Sequence, residues 1–126
     1  MKQAITHFKV PGEDRATCLG ADGSVSHVSR VLRMITGRWK QPILFRLFAE
    51  PSLRASQFMR DMPGISQKML TQHLRELEID GLIRRHDFQE QPPRVEYSLS
   101  STGRGLMPIL MSVREFSRDY PGNRRG

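Results

Sequence analysis

One segment of the chain, residues 66–81, constrains the fold more than any other because its two faces differ in chemistry. Ser66 is a good helix N-cap and Gly81 a good helix end, so the sequence predicts a helix between them. At about 100° per residue, one face is apolar apart from His73. The opposite face carries hydrogen-bonding side chains, namely Gln67, Lys68, Thr71, Gln72, Arg75 and Glu78. Such a helix buries one face in a core and presents the other to solvent or to a partner.

Three shorter helices are predicted before this segment from the spacing of apolar residues. They cover residues 26–36, 39–48 and 56–62. Ser26 is the expected cap of the first, a Glu-Pro-Ser turn at residues 50–52 ends the second, and a Pro-Gly turn at residues 63–64 ends the third. The second helix is expected to bury Ile43, Leu44, Leu47 and Phe48.

The residues after Gly81 change to a pattern typical of strands. Residues 82–88 are a plausible strand, residues 94–99 alternate between polar and apolar side chains, and Pro92 and Pro93 between the two segments cannot continue a ladder of hydrogen bonds. The sequence therefore predicts an antiparallel hairpin. Ser100 then caps a last amphipathic helix.

This order of elements is typical of a winged helix-turn-helix domain, a mainly helical α+β fold with one small hairpin. The major groove of DNA admits a helix, and amide and cationic side chains match the donors and acceptors of base edges there. The alternative is a polar face that is merely solvated. The hypothesis of DNA contact assigns it to Ser66, Gln67, Lys68, Thr71, Gln72, Arg75, Arg84, Arg85 and Arg94.

Charge and cysteine content narrow the class of protein. The chain has 126 residues, a formal net charge of +7 and one cysteine, so it has room for one ordinary domain and cannot form an internal disulfide. The basic excess suggests a polyanion, either nucleic acid or an anionic membrane. The start of the chain has no signal-peptide core and no apolar run approaches the length of a membrane span, so we expect a cytoplasmic protein without membrane partners.

Several segments, in this order and spacing, resemble the HxlR family of bacterial transcription regulators. They are residues 37–40 (GRWK), 63–71 (PGISQKMLT), 74–78 (LRELE), 80–83 (DGLI) and 92–99 (PPRVEYSL). The resemblance implies a winged-helix homodimer, related in fold to MarR regulators, that binds a pseudo-palindromic operator in double-stranded DNA. It also implies a dimer interface on the terminal helices, which here carry Val28, Val31, Leu32, Leu106, Leu110, Val113 and Phe116.

Cys18 is a candidate redox sensor, although its position departs from the family pattern. Many family members, some of them thiol-based sensors, have a cysteine shortly before the first conserved helix, and Ser26 occupies the matching position here. A reactive thiol needs a lowered pKa and access to solvent. The sequence leaves two interpretations open, a thiol that senses an oxidant or electrophile and an inert, buried thiol.

The predicted organisation is an N-terminal arm over residues 1–25, the DNA-binding domain over 26–100, a dimerisation helix over 101–120 and a flexible tail over 121–126. The preferred function is a sequence-specific, homodimeric DNA-binding regulator, with a redox or small-molecule effector. The alternative is a winged-helix protein-interaction module that does not bind DNA. An enzyme that uses Cys18 is disfavoured because no base is identifiable near it, and no metal or other cofactor is expected.

Overall fold

Two units follow one another along the chain, residues 1–36 and residues 37–126, and each is described by itself. The computed structural model describes residue 12, residues 14–120 and residue 122. Most of the predicted tail over residues 121–126, and residues 1–11 and 13 of the predicted arm, lie outside the described residues.

The first unit contains two helices, α1 (Arg15–Leu19) and α2 (Ser24–Ile35). Asp14 caps α1 by accepting a hydrogen bond from the Thr17 N–H at 2.7 Å, a signal that the interpretation of residues 1–25 as an arm had missed. The prediction that Ser26 caps the next helix is also wrong, because α2 begins two residues earlier, after Gly23. A Cβ at Gly23 would overlap the backbone carbonyl of Thr17, so the tight turn between the helices requires glycine there.

The second unit confirms the predicted order of elements, with boundaries within one residue. Its helices and strands are α3 (Lys40–Ala49), α4 (Ala55–Asp61), α5 (Gln67–Ile79), β1 (Ile83–Asp87), β2 (Val95–Leu99) and α6 (Ser101–Asp119). It is a winged helix-turn-helix fold, mainly helical with a two-stranded antiparallel hairpin. Gly81 adopts a φ of 79°, which suits glycine and turns the chain from α5 into the hairpin.

One apolar core collects residues from every helix of this unit. The side chains that are at most 2% exposed include Ile43, Leu44, Leu47, Phe58, Leu70, Leu74, Leu77 and Met107. The prediction that Phe48 points inward is wrong, since it is 47% exposed. Its position lies about 90° around α3 from the centre of the buried face.

An isolated β-bridge joins Leu53 to the outer edge of β2. Leu53 and Tyr97 exchange backbone hydrogen bonds, with N–H to oxygen distances of 2.9 Å and 2.8 Å. The hairpin pairs Ile83 with Leu99 and Asp87 with Val95 at its two ends. This bridge was not predictable, because one bridged residue leaves no alternating pattern in the sequence.

The junction of α5, the hairpin and α6 is closed by Ser100. Its hydroxyl accepts from the Gly103 N–H at 3.0 Å, as predicted for a helix cap, and donates to the Gly81 carbonyl. Gly103 packs so closely on the Leu82 carbonyl that a Cβ there would overlap it. In the described part of the chain, no helix combines the length and the apolar character needed to cross a membrane.

Candidate nucleic-acid interface

Helix α5 presents an exposed face of amide, hydroxyl and cationic side chains. Ser66 holds its N-terminus, accepting a hydrogen bond from the Met69 N–H at 3.0 Å. The first turn contains no acidic residue, so the positive end of the helix dipole is not neutralised there. Five of the predicted contact residues line one shallow depression of about 550 Å³ on this face, Gln67, Lys68, Thr71, Gln72 and Arg75.

A groove of about 590 Å³ separates α5 from the hairpin. It is lined by Thr71, Arg75, Glu78, Ile79, Arg85 and Tyr97. Arg85 pairs with Tyr97 across the hairpin, so both side chains project on the same side, while Arg84 pairs with Ser98 and projects on the other. The structure therefore brings Arg85 to the face of α5 and leaves Arg84 on the opposite side of the sheet.

Four of the predicted contact cations are exposed and have no acidic partner within the part of the chain that the structure describes. They are Lys68, Arg75, Arg84 and Arg85. An exposed cation without a partner loses little on meeting a phosphate, because no existing ion pair has to be broken. These four side chains are suited to contact with an anion.

Arg94, one of the predicted contact residues, makes its observed contacts within the hairpin, which is the wing of this fold. Its guanidinium lies 3.8 Å from the ring centroid of Phe88, 3.1 Å from the Glu96 carboxylate and 3.6 Å from that of Glu90. Hydrogen bonds from the Ser52 hydroxyl and from Arg94 lower the pKa of the Glu96 carboxyl. Arg94 therefore shapes the wing, and its charge is compensated. The positions of Glu90 and Glu96, close to Arg94 in the sequence, were a signal of these ion pairs.

An ion pair beneath α5, in which the lysine side chain is buried and the carboxylate is partly exposed, was not predicted from the sequence. The Lys40 ammonium, whose side chain is 11% exposed, lies 2.8 Å from the Glu76 carboxylate. The second oxygen of Glu76 accepts a hydrogen bond from the Gln72 amide at 3.2 Å. The hydrogen bond from Lys40, then that from Gln72, lowers the pKa of the Glu76 carboxyl. His73 also faces this carboxylate, with Nδ1 3.7 Å away and no hydrogen bond.

The lowered pKa of Glu76 predicts a specific dependence of stability on pH. The ionised carboxylate stabilises the fold fully above its ordinary pKa of 4.5, and this contribution is lost as the pH falls through the lower folded-state pKa. Between about pH 7 and about pH 3, the free energy of unfolding in urea should therefore fall less for Glu76→Gln than for the wild type. Equal losses in the two proteins would contradict the assignment.

The predicted dimer residues fall into two groups. Val28, Leu32, Val113 and Phe116 are between 55% and 71% exposed, and Val31 is half-buried. Leu106 and Leu110 are only 8% and 9% exposed, so the structure assigns them to the core rather than to a free surface. On α6, exposed Ile109 and Tyr120 extend the apolar face, and Tyr120 stacks on Phe116 at 5.7 Å between ring centroids.

Cys18 lies in α1 and is 1% exposed. A thiol this buried is out of reach of dissolved oxidants until the surrounding chain opens. The described residues also contain no group of three or more His, Cys, Asp or Glu side chains arranged to hold a metal ion.

Comparison with known proteins assigns the family. The model of the HxlR-like helix-turn-helix family matches residues 34–124. The chain belongs to this family. A curated relative, an uncharacterized HTH-type transcriptional regulator of Methanothermobacter thermautotrophicus, is 41% identical over 102 residues, which cover 81% of this chain and 77% of the relative. The resemblance of this HxlR-like chain to transcriptional regulators is thus confirmed.

Solved structures agree with this assignment. A transcriptional regulator of the MarR family from Enterococcus faecalis is 33% identical, with a TM-score of 0.74 over 90% of this chain and 94% of its own. The redox regulator HypR in its reduced form is 40% identical, with a TM-score of 0.69 over 74% of this chain and 91% of its own. The HxlR-like chain therefore shares a winged-helix fold with regulators of the MarR type.

Proposed function

We propose that this HxlR-like regulator binds double-stranded DNA sequence-specifically, with α5 in the major groove. The observation that carries the proposal is the exposed face of α5, where amides lie beside cations that have no acidic partner among the described residues, and no acid occupies the first turn. Gln67 and Gln72 match the edge of adenine, and Lys68 and Arg75 match guanine or phosphate. The free N–H groups at the start of α5 also favour a phosphate.

Arg85 supports contact from the hairpin. It shares the groove with Thr71 and Arg75, so a DNA backbone that passes beside α5 would meet a second cation from β1. The compensated charge of Arg94 assigns it the role of holding the wing in shape. In this proposal Arg84, on the other side of the sheet, contributes to long-range attraction only.

The proposal includes a homodimer that binds a pseudo-palindromic operator. Exposed apolar side chains on α6 form a stripe that a monomer would leave in water, and a second copy offers the same stripe. Two α5 helices related by a twofold axis would enter successive major grooves about 34 Å apart. The first unit can also contribute to the dimer interface, since its Val28 and Leu32 are exposed to about the same degree as Val113 of α6.

The test is selection of bound fragments from genomic DNA, followed by affinity measurements at several salt concentrations. We expect a symmetric site, and a plot of log affinity against log salt that becomes shallower by about 1 for Lys68→Ala. Arg114→Ala, which removes an exposed cation from α6, should leave the slope unchanged. Equal binding to the selected site and to scrambled DNA would refute the proposal and favour the interaction module.

HypR, which this chain resembles in structure, is described as a redox regulator, so an oxidant is the first candidate effector to test. The burial of Cys18 limits how a thiol would respond. We therefore expect reduced protein and mildly oxidised protein to select the same fragments. A difference between them that Cys18→Ser abolishes would instead show that the thiol becomes accessible and senses the oxidant.

A further inference from the structure

The pairing of Gln72 with Glu76 has a consequence for base reading that rests on the proposed DNA-binding function. Gln72 lies on the exposed face of α5, and its Nε2 donates to Glu76 Oε2 at 3.2 Å. Glu76 lies one turn later in the helix and faces Lys40 of α3 with its other oxygen. One carboxylate thus joins a candidate base-reading side chain to a buried cation.

The chemistry of these groups fixes which way round the glutamine amide is held. An amide side chain has a donor end and an acceptor end of nearly the same shape, so rotation by about 180° exchanges them. An ionised carboxylate only accepts hydrogen bonds, and it therefore selects the orientation with Nε2 toward Glu76. The carbonyl Oε1 and the second N–H of Nε2 remain unused by this contact.

Those two remaining groups are the pair that reads adenine. Bidentate recognition of adenine needs one acceptor for N6–H and one donor for N7, side by side and in a fixed order. Because Glu76 orients the amide in advance, less side-chain entropy is lost when the base is bound.

Lys40 holds the Glu76 carboxylate in one position. The Lys40 side chain is 11% exposed and its ammonium lies 2.8 Å from the Glu76 carboxylate, so the carboxylate is anchored to α3. The ion pair also keeps the carboxylate ionised, which preserves its acceptor-only character.

We propose that Glu76 is a positioning residue for specificity, which through Lys40 fixes the Gln72 amide in the orientation that reads one adenine in each half-site. Glu76 does not itself contact the base. Without it, Gln72 would sample both amide orientations and discriminate less well at that base pair.

The test compares the wild type, Glu76→Gln, Gln72→Ala and the double variant on a selected site and on sites with each base pair changed in turn. We expect Glu76→Gln to reduce the preference for adenine at one position by about 5-fold or more, the low end of what one bidentate contact supplies. Gln72→Ala should remove the preference at that same position. The double variant should match Gln72→Ala, because Glu76 acts through Gln72.

Glu50→Gln is the matched control, since it removes a carboxylate that is 50% exposed, against 40% for Glu76, and that lies 3.9 Å from Arg46 at the end of α3. It should leave the preference at every position unchanged. Thermal unfolding of each variant checks that the fold is intact, and loss of a carboxylate near DNA should not weaken binding to scrambled sequences.

Three outcomes would overturn the inference. If Gln72→Ala weakens the base preference at one position of the site and Glu76→Gln weakens it at none, then Gln72 recognises its base without help from Glu76. If Glu76→Gln relaxes a position that Gln72→Ala does not, Glu76 acts by another route. In both cases the proposed DNA-binding function stands. If the wild type prefers no sequence at all, the proposed function fails as well.

Discussion

Replacing Gly103 with alanine will destabilise the second unit by about 3 kcal/mol, the upper range for overpacking in a core. The added Cβ would overlap the carbonyl oxygen of Leu82 and press on a methyl group of Leu99. Neither neighbour can yield easily, because Leu82 is fixed by backbone hydrogen bonds to Leu77 and Ser100. Urea unfolding at neutral pH, followed by circular dichroism, measures the change.

Gly105 provides a matched control in the same helix. It is exposed, and a Cβ built on it meets no atom within 4 Å. Gly105→Ala should therefore leave stability unchanged or raise it by up to about 1 kcal/mol, as for alanine in an exposed helix interior. Similar free energies of unfolding for the two alanine variants would show that α6 does not pack on the hairpin as described.

Introducing a charge on the exposed face of α6 will have the largest effect on the proposed operator binding. In Val113→Glu or Phe116→Glu, a carboxylate replaces a side chain that is 58% or 71% exposed, so the fold of each chain should survive. Burying that carboxylate between two copies is strongly unfavourable, and the dimer should dissociate. We expect a monomer by sedimentation, and a loss of operator affinity of about 100-fold or more as the linkage of two half-sites disappears.

Arg104→Glu tests whether a new negative charge anywhere on α6 is enough to dissociate the dimer. Arg104 is exposed and lies about 180° around the helix from Val113. This variant should sediment like the wild type. If Val113→Glu also keeps the wild-type mass, the apolar stripe does not form the dimer, and the proposal about the interface fails even if DNA binding is intact.

Much of the second unit was predictable because its signals are local. Ser66, Gly81 and Ser100 mark helix ends by their own backbone preferences, and the structure uses each of them as predicted. The polar face of α5 follows from helical spacing alone. These features need no knowledge of which elements pack together.

The features that were missed depend on contacts between distant residues. Lys40 and Glu76 are brought together by the packing of α3 on α5, and no pattern in either segment predicts an ion pair between them. The burial of Leu106 and Leu110 likewise follows from packing, whereas spacing groups them with the exposed Val113 and Phe116. Periodicity defines an apolar stripe but does not divide it between a core and a free surface.

The bridge between Leu53 and Tyr97 closes the intervening chain, residues 54–96, at both of its ends. Every candidate DNA-contacting side chain lies inside it. The entropic cost of closing a long loop rises only slowly with its length, by about 0.6 kcal/mol for a doubling. The tip between the two strands can therefore gain or lose a few residues at little cost in free energy. Changes in the length of the hairpin tip should therefore be tolerated within the proposed DNA-binding surface.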